Sequence, residues 1–504
     1  MKNTLLLITL ILFSAIICAT SCVHKPQLTV SATSTDYPDS IANILVKKCT
    51  NAGCHNQASY QNAGELLLDS WDHLFQGGVS GAVVVAYSTK YSPLLYYVCP
   101  DPALGTQVND PGHLQTALTT AEYMTLANWI AKGAPDKNGN IPFATNPDTR
   151  QKIYLTISGC NYIAVIDAKS RQVMRQIPVG NLLSISLHDI EVSGDGNYAY
   201  ISFYNGTMMQ KIDTRTDTVV GFVDLSTVAV AGQAGWSILC LSPMDTAIML
   251  TGYYNDYLVT TNTATMTVNQ NLSMDDRNTG FFTNILTNPH GVTANPTFDT
   301  FFVTLQYGNT VAKIHFGQPL WIKNISINGS PPGTDSTGTS PNPHQVEMAP
   351  DNSEYFVTCQ NSNEVRVMDA HSDTLIKVIP VGTKPQEMAV SIPRHYLFVV
   401  CMEDAATTRA GARGSVYVID YTKLQVVTIL YGDFYQPHDI AVDEQDTLLY
   451  ICSTNADATG PAPHHVPVCA GRAGWYTVYN LNTWQMDNKR YQVDVFPYAI
   501  APRF

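Results

Sequence analysis

The sequence predicts a mainly β chain in which seven four-stranded units close into a β-propeller, preceded by a small all-α domain. Three observations carry this. The apolar period is helical from residue 38 to about residue 140 and changes to two after residue 150. Beyond that point a long repeat recurs with fixed internal spacings. The C-terminus then copies an element that the first repeat lacks.

Seven β-rich runs mark the repeat: Tyr154-Leu155-Thr156, Tyr200-Ile201-Ser202, Met249-Leu250-Thr251, Phe302-Val303-Thr304, Phe356-Val357-Thr358, Phe398-Val399-Val400 and Tyr450-Ile451-Cys452. Each leads to a strand ending in a polar turn residue: Asp167, Asp213, Asn262, His315, Asp369, Asp420 and Asn480. The separation is 13 residues in the first five repeats, 22 in the sixth and 30 in the seventh. Twelve residues upstream of runs two to seven lie His188, Ser237, His290, His344, Gln386 and His438. Phe496-Pro497-Tyr498-Ala499-Ile500 copies Gln436-Pro437-His438-Asp439-Ile440, so a C-terminal strand is expected to complete the first unit. Closure into a ring removes the unpaired edges of an open sheet.

The pairs Ile166-Asp167-Ala168 … Ile177-Pro178-Val179-Gly180 and Met368-Asp369-Ala370 … Ile379-Pro380-Val381-Gly382 resemble the YVTN-type repeat, over residues 150–504. Length variation concentrates in the loops between second and third strands and in the blade-to-blade crossings, which share one face. These are Ala405 to Arg413, Ala456 to Arg472 and Gly329 to Pro343. Variable loops on a rigid scaffold are where binding usually sits.

Ahead of the repeats, Ile41, Ile44, Leu45 and Val46 line a short helix that delivers Cys49. Thr119-Thr120-Ala121-Glu122 reads as a capping sequence for a helix from Tyr123 to Lys132, stopped by Gly133. Between them stands Cys49-Thr50-Asn51-Ala52-Gly53-Cys54-His55. Two thiols followed directly by a histidine allow two thioether bonds to haem vinyl groups, with the imidazole on the iron. Four residues separate the cysteines instead of the usual two, so a disulfide or a partial zinc site competes. A zinc site would need four ligands, and no second Cys/His pair follows at zinc-finger spacing.

The motif, its leading helix, Ser92-Pro93-Leu94-Leu95-Tyr96 and Trp129-Ile130-Ala131-Lys132-Gly133-Ala134 together resemble the planctomycete-type cytochrome c domain over residues 38–136. The resemblance implies covalent haem c on Cys49 and Cys54, with His55 as proximal iron ligand. That family tends to carry Met-Pro before its last helix; here the stretch is Asp110-Pro111-Gly112-His113. His113 is therefore the candidate distal ligand, beside an open or water-ligated iron. Bis-histidine ligation would lower the potential relative to His/Met.

The blade-start residues His188, His290, His344 and His438 occupy equivalent positions, with Ser237, Gln386 and Tyr498 in the others. Equivalent positions point to the mouth of the central channel, and clustered imidazoles bind copper, zinc or iron. The arrangement resembles, at the level of fold only, the propeller of nitrous oxide reductase, whose histidines hold copper. Pro-His is also ordinary in YVTN-type repeats, where no metal need be bound.

Composition sets the partners and the compartment. The net charge is −13, with only 28 Lys+Arg, which argues against a nucleic-acid partner. Lys2, the apolar run Leu5 to Ile17 and Ala19-Thr20-Ser21-Cys22 resemble a bacterial lipoprotein signal, with Cys22 as the lipidated residue. Residues 1–22 then form the signal peptide, 23–37 a tether, 38–140 the haem domain and 150–504 the propeller. The chain is expected to be exported and held by lipid alone at a bacterial membrane, on the periplasmic or outer-membrane side. Of its eleven cysteines, Cys452 and Cys469 bracket the seventh-blade insertion and are expected to pair, and Cys160 to be a buried thiol.

These readings converge on an exported haem c electron-transfer protein whose propeller docks a redox partner or a small-molecule substrate. Two others stand beside it: a propeller oxidoreductase with a metal or small-molecule site at the histidine ring, and a non-catalytic binding lipoprotein.

Overall fold

The runs of alternating and β-branched residues form seven antiparallel sheets in the computed structural model, six of four strands and one of five. The structure describes residues 35–108, 110–114, 118–144, 148–181, 185–229, 235–254, 256–273, 288–333, 338, 340–405, 412–454 and 474–503. The innermost strands of blades 1 to 7 are Pro497–Arg503, Ile185–Val192, Trp236–Leu241, Pro289–Ala294, Pro343–Met348, Pro385–Ser391 and Pro437–Val442. Each packs against the next around the ring, and the seventh meets the first. Blade 1 is completed from the far end of the chain, with Pro497–Arg503 antiparallel to Lys152–Ile157. The expected closure is therefore observed. Facing sheets fill the space between blades with buried Val, Ile, Leu, Phe and Tyr.

The spacing of 12 residues has a specific cause. Every innermost strand carries a β-bulge at its start, where two residues oppose one on the next strand. His188-Asp189 oppose Ser202, His290-Gly291 oppose Thr304, His344-Gln345 oppose Thr358, and Tyr498-Ala499 oppose Thr156. The opposing hydroxyl accepts the N–H of the second bulge residue, as Thr304 does from Gly291 at 2.8 Å. It then donates to the carbonyl of the next blade's first bulge residue, as Thr304 does to His344 at 2.7 Å and Thr251 to His290 at 2.6 Å. The third residue of the repeated run is thus a stitch between blades at Ser202, Thr251, Thr304 and Cys452. Two residues before each bulge the backbone is left-handed: Ser186, Gly235, Asn288, Asn342, Lys384, Gln436 and Phe496 all have φ between 50° and 68°. The sharp entry this creates turns the first bulge residue toward the axis.

The polar turn residues also have a structural role. Asn262 accepts from the N–H groups of Ala264 and Thr265, and Asp369 from those of His371 and Ser372. These are Asx-type turns that fix the hairpins.

The N-terminal segment is helical as expected. A helix at Asp39–Ile44 runs into a single wide turn at Leu45–Cys49, and further helices lie at Trp71–Leu74, Pro93–Val98, Pro111–Leu114 and Thr120–Ala131. The last begins three residues before the expected Tyr123, because Thr119 is the N-cap and closes a reciprocal capping box with Glu122. Ile41, Leu45, Leu126, Trp129 and Ile130 form its core. This unit is fastened to blades 1 and 7. Arg490 and Gln492 donate backbone N–H groups to Val79 and Ser80, Gln172 donates to the Gln76 carbonyl, and Tyr91 packs on Tyr162.

Two cysteine expectations are overturned. Cys160 is disulfide-bonded, whereas Cys452 is a free, buried thiol that donates to the Tyr498 carbonyl in the stitch position of blade 7. Cys452 occupies the place of a threonine, so its partner is a carbonyl. Cys22 and Cys469 lie outside the described residues, as do all of Ala456 to Arg472 and the centre of Ala405 to Arg413. No helix among the described residues is long and apolar enough to cross a membrane.

Candidate functional site

Two constellations lie on this frame. In the first, the wide turn Leu45–Cys49 ends at the first cysteine, and the His55 N–H donates to the Cys49 carbonyl at 3.0 Å, closing the loop that carries both cysteines. Cys49, Cys54, His55 and His113 line one cavity of about 470 Å³. Its walls include Leu66, Leu68, Val83, Leu94 and Val98, and Gln492 of blade 7 reaches its edge. Among the described residues Cys49 and Cys54 are free thiols. Burial pushes the Cys49 thiol up to about 11.

The two histidines are oriented from behind. His55 Nδ1 lies 3.0 Å from the Leu66 carbonyl, and His113 Nδ1 lies 2.6 Å from the Asp110 carboxylate. Both contacts call for a proton on Nδ1 of a neutral ring, the outer-shell arrangement common to metal-bound imidazoles. Desolvation lowers the His55 pKa, which favours the neutral ring a metal requires. The His113 contact holds the exposed Asp110 carboxyl below the usual range.

The rings lie 6.0 Å apart, centroid to centroid, with planes 24° from parallel. With metal–nitrogen bonds of about 2.0–2.1 Å and a ring radius of about 1.1 Å, two imidazoles in trans across one ion stand about 6.3 Å apart, and two on a tetrahedral ion about 5.1 Å. The spacing fits the trans case. The cavity is also far larger than a closed tetrahedral zinc site, whose ligands leave no void. A haem therefore fits these residues, and a Cys₂His₂ zinc site does not.

The second constellation lines the propeller axis. His188, His290, His344 and His438 are all buried and meet in sequence, with ring centroids 5.4, 4.2 and 6.3 Å apart. Tyr498 closes the circle, stacked on His438 at 3.7 Å and 5.0 Å from His188. Tyr204, stacked on His188, and Tyr253, edge-on to His290, extend the aromatic lining. Arg413 pairs with Tyr435 beside the blade 7 entry, which puts the root of the sixth-blade insertion on the face where these strands begin.

Sequence reasoning missed the acids beneath the histidines. Asp189, Glu387 and Asp439 are the second bulge residues, and Glu191 and Glu347 lie three positions after the histidine of their strands. Burial raises all five, Asp189 to about 6, Glu347 to about 7 and Asp439 to about 8. Asp189 and Asp439 accept backbone N–H bonds from their own strand and from the next blade. Glu191 and Glu347 face a second cavity of about 430 Å³ with Cys240 and Gln345. The repeat offset that located the histidines would have located these acids one and three residues on.

No family model and no curated protein matches the chain. Among solved structures, a protein of unknown function from Desulfotomaculum acetoxidans is similar at a TM-score of 0.50 and 12% identity, covering 69% of this chain and all of that one. Kuenenia stuttgartiensis hydrazine synthase matches at a TM-score of 0.43 and 17% identity, covering 60% of this chain and 80% of that one. Dihydro-heme d1 dehydrogenase NirN, solved in complex with DHE, matches at 0.46 and 12%, covering 84% and 94%. At these identities the likeness concerns the fold alone.

Proposed function

We propose that the chain is an exported haem c electron-transfer protein whose propeller docks a redox partner or a small substrate. The observation that carries this is the pairing of His55 and His113 across one apolar cavity beside Cys49 and Cys54. A haem bound there would supply reversible one-electron chemistry. Cys49 and Cys54 would anchor it by thioethers, and His55 and His113 would ligate the iron through Nε2. Leu66 and Asp110 hold the two rings in the required tautomer, and the Leu and Val walls exclude water. Gln492 places one edge of the cavity against blade 7, so the propeller shapes the approach of a partner. Anchoring through Cys22 at a bacterial membrane, with no nucleic-acid partner, belongs to the same reading.

The test is expression with haem-maturation machinery. One haem should survive acid–acetone extraction and add its mass to the intact chain, and Cys49→Ala/Cys54→Ala should lose it. Complete extraction from the native sequence would overturn the assignment.

A further inference from the structure

We propose that His344, Glu387 and His438 ligate one divalent transition-metal cation inside the propeller channel. The site is independent of the haem reading. Its three side chains come from the innermost strands of blades 5, 6 and 7, all are buried, and their ligating atoms lie within 4.8 Å of one another.

Blade 6 is where the repeat departs from its neighbours. Blades 2, 4, 5 and 7 place a histidine first in the bulge; blade 6 places Gln386 there and Glu387 second. In blades 2 and 7 the second position is an aspartate spent on backbone N–H groups. Glu387 is one methylene longer, and its Oε1 has no hydrogen-bond partner among the described residues although the residue is only 6% exposed. That oxygen stands 3.5 Å from His344 Nδ1.

A buried carboxyl oxygen without a hydrogen bond is costly in its charged form, and a cation would meet that charge. Two imidazoles and a carboxylate are the donor set of zinc, iron(II) and related ions. Around an ion with bonds of about 2.0–2.1 Å, ligand atoms lie roughly 3.3 Å apart, so the His344–Glu387 edge is already the right length and His438 must close by about 1.5 Å at most. His438 is held for this. Its Nδ1 faces the Tyr498 carbonyl at 3.2 Å, which directs Nε2 to the metal, and its ring is stacked on Tyr498.

The test uses the full chain, stripped with a chelator and dialysed against Zn²⁺ or, separately, Co²⁺. One equivalent should be retained per chain, and it should persist in Cys49→Ser/Cys54→Ser, which removes the haem anchors. Glu387→Gln should weaken binding at least tenfold, and His438→Gln should abolish it. Zinc should raise the melting temperature of the native sequence and leave that of Glu387→Gln unchanged. X-ray absorption at the zinc edge should show a nitrogen and oxygen shell with imidazole scattering. Absence of a stoichiometric ion, a sulfur-containing shell, or binding indifferent to Glu387→Gln would each overturn the proposal. Loss of haem from the double cysteine variant with zinc retained separates this site from the haem reading.

Discussion

At the scale of single residues, two groups make sharp predictions. His113 is half-buried and oriented by Asp110, so its replacement should change the iron's ligand field and leave the fold intact. Once haem attachment is established, His113→Met is expected to raise the reduction potential, since a thioether replaces an imidazole. Redox titration against the native protein measures this; an unchanged potential and spectrum would remove His113 from the ligand set. Glu347 predicts a pH dependence of stability. Its carboxyl is raised from about 4.5 to about 7 by burial, so the folded chain keeps a proton that the unfolded chain has lost. Stability from this group is full below about pH 4.5 and declines as pH rises toward 7. Asp189, Glu191, Glu387, Asp439 and Cys240 share the surroundings and contribute their own slopes. The difference between native and Glu347→Gln melting curves isolates this one: the variant should gain relative stability above pH 7 and show a flatter profile between about 4.5 and 7.

At the scale of the strand, the bulge and its hydroxyl stitch are the repeated device. Thr304→Val removes the acceptor of the Gly291 N–H and the donor to the His344 carbonyl, both buried, and should cost about 1–3 kcal/mol in chemical denaturation. Thr304→Ser should recover most of it. Blades 6 and 7 already carry Val400 and Cys452 in this position, so an equal loss at Thr304→Val and Thr304→Ser would mean that the contact is steric instead. The device also explains what was legible in the sequence. The offset of 12 residues is visible because the bulge keeps its length in every blade, and that of 13 because the hairpin stays tight in the first five, and so the blade count, the closure and the convergence of His188, His290, His344 and His438 could be read directly. Glu387 could not. It lies at the second bulge position, where period-two reasoning turns a side chain away from the axis, and only the register shift restores it. His113 was found by its place before the last helix, but its distance from His55 depends on the packing of four short helices with no repeat to constrain it. The Cys160 disulfide left no sequence signal beyond an odd count of thiols.

At the scale of the molecule, the ring is held by its first and last strands together. Deleting residues 496–504 should leave blade 1 with three strands, remove the Tyr498–His438 stack and lower the melting transition of the whole propeller. An unchanged transition would contradict the role of that strand. The same closure sets an order of events. Any process that delivers the chain from its N-terminus, whether synthesis or passage through a membrane, presents Cys49, Cys54 and His55 long before Pro497–Arg503. The helical unit can therefore form its core while the blades are still accumulating. The blade 7 part of its seat cannot be made then, because Arg490 and Gln492 arrive almost last and in the same stretch as the closing strand. Folding of the front of the chain and locking of the ring are separated in time, and the clasp on Val79 and Ser80 forms only when Arg490 and Gln492 have arrived.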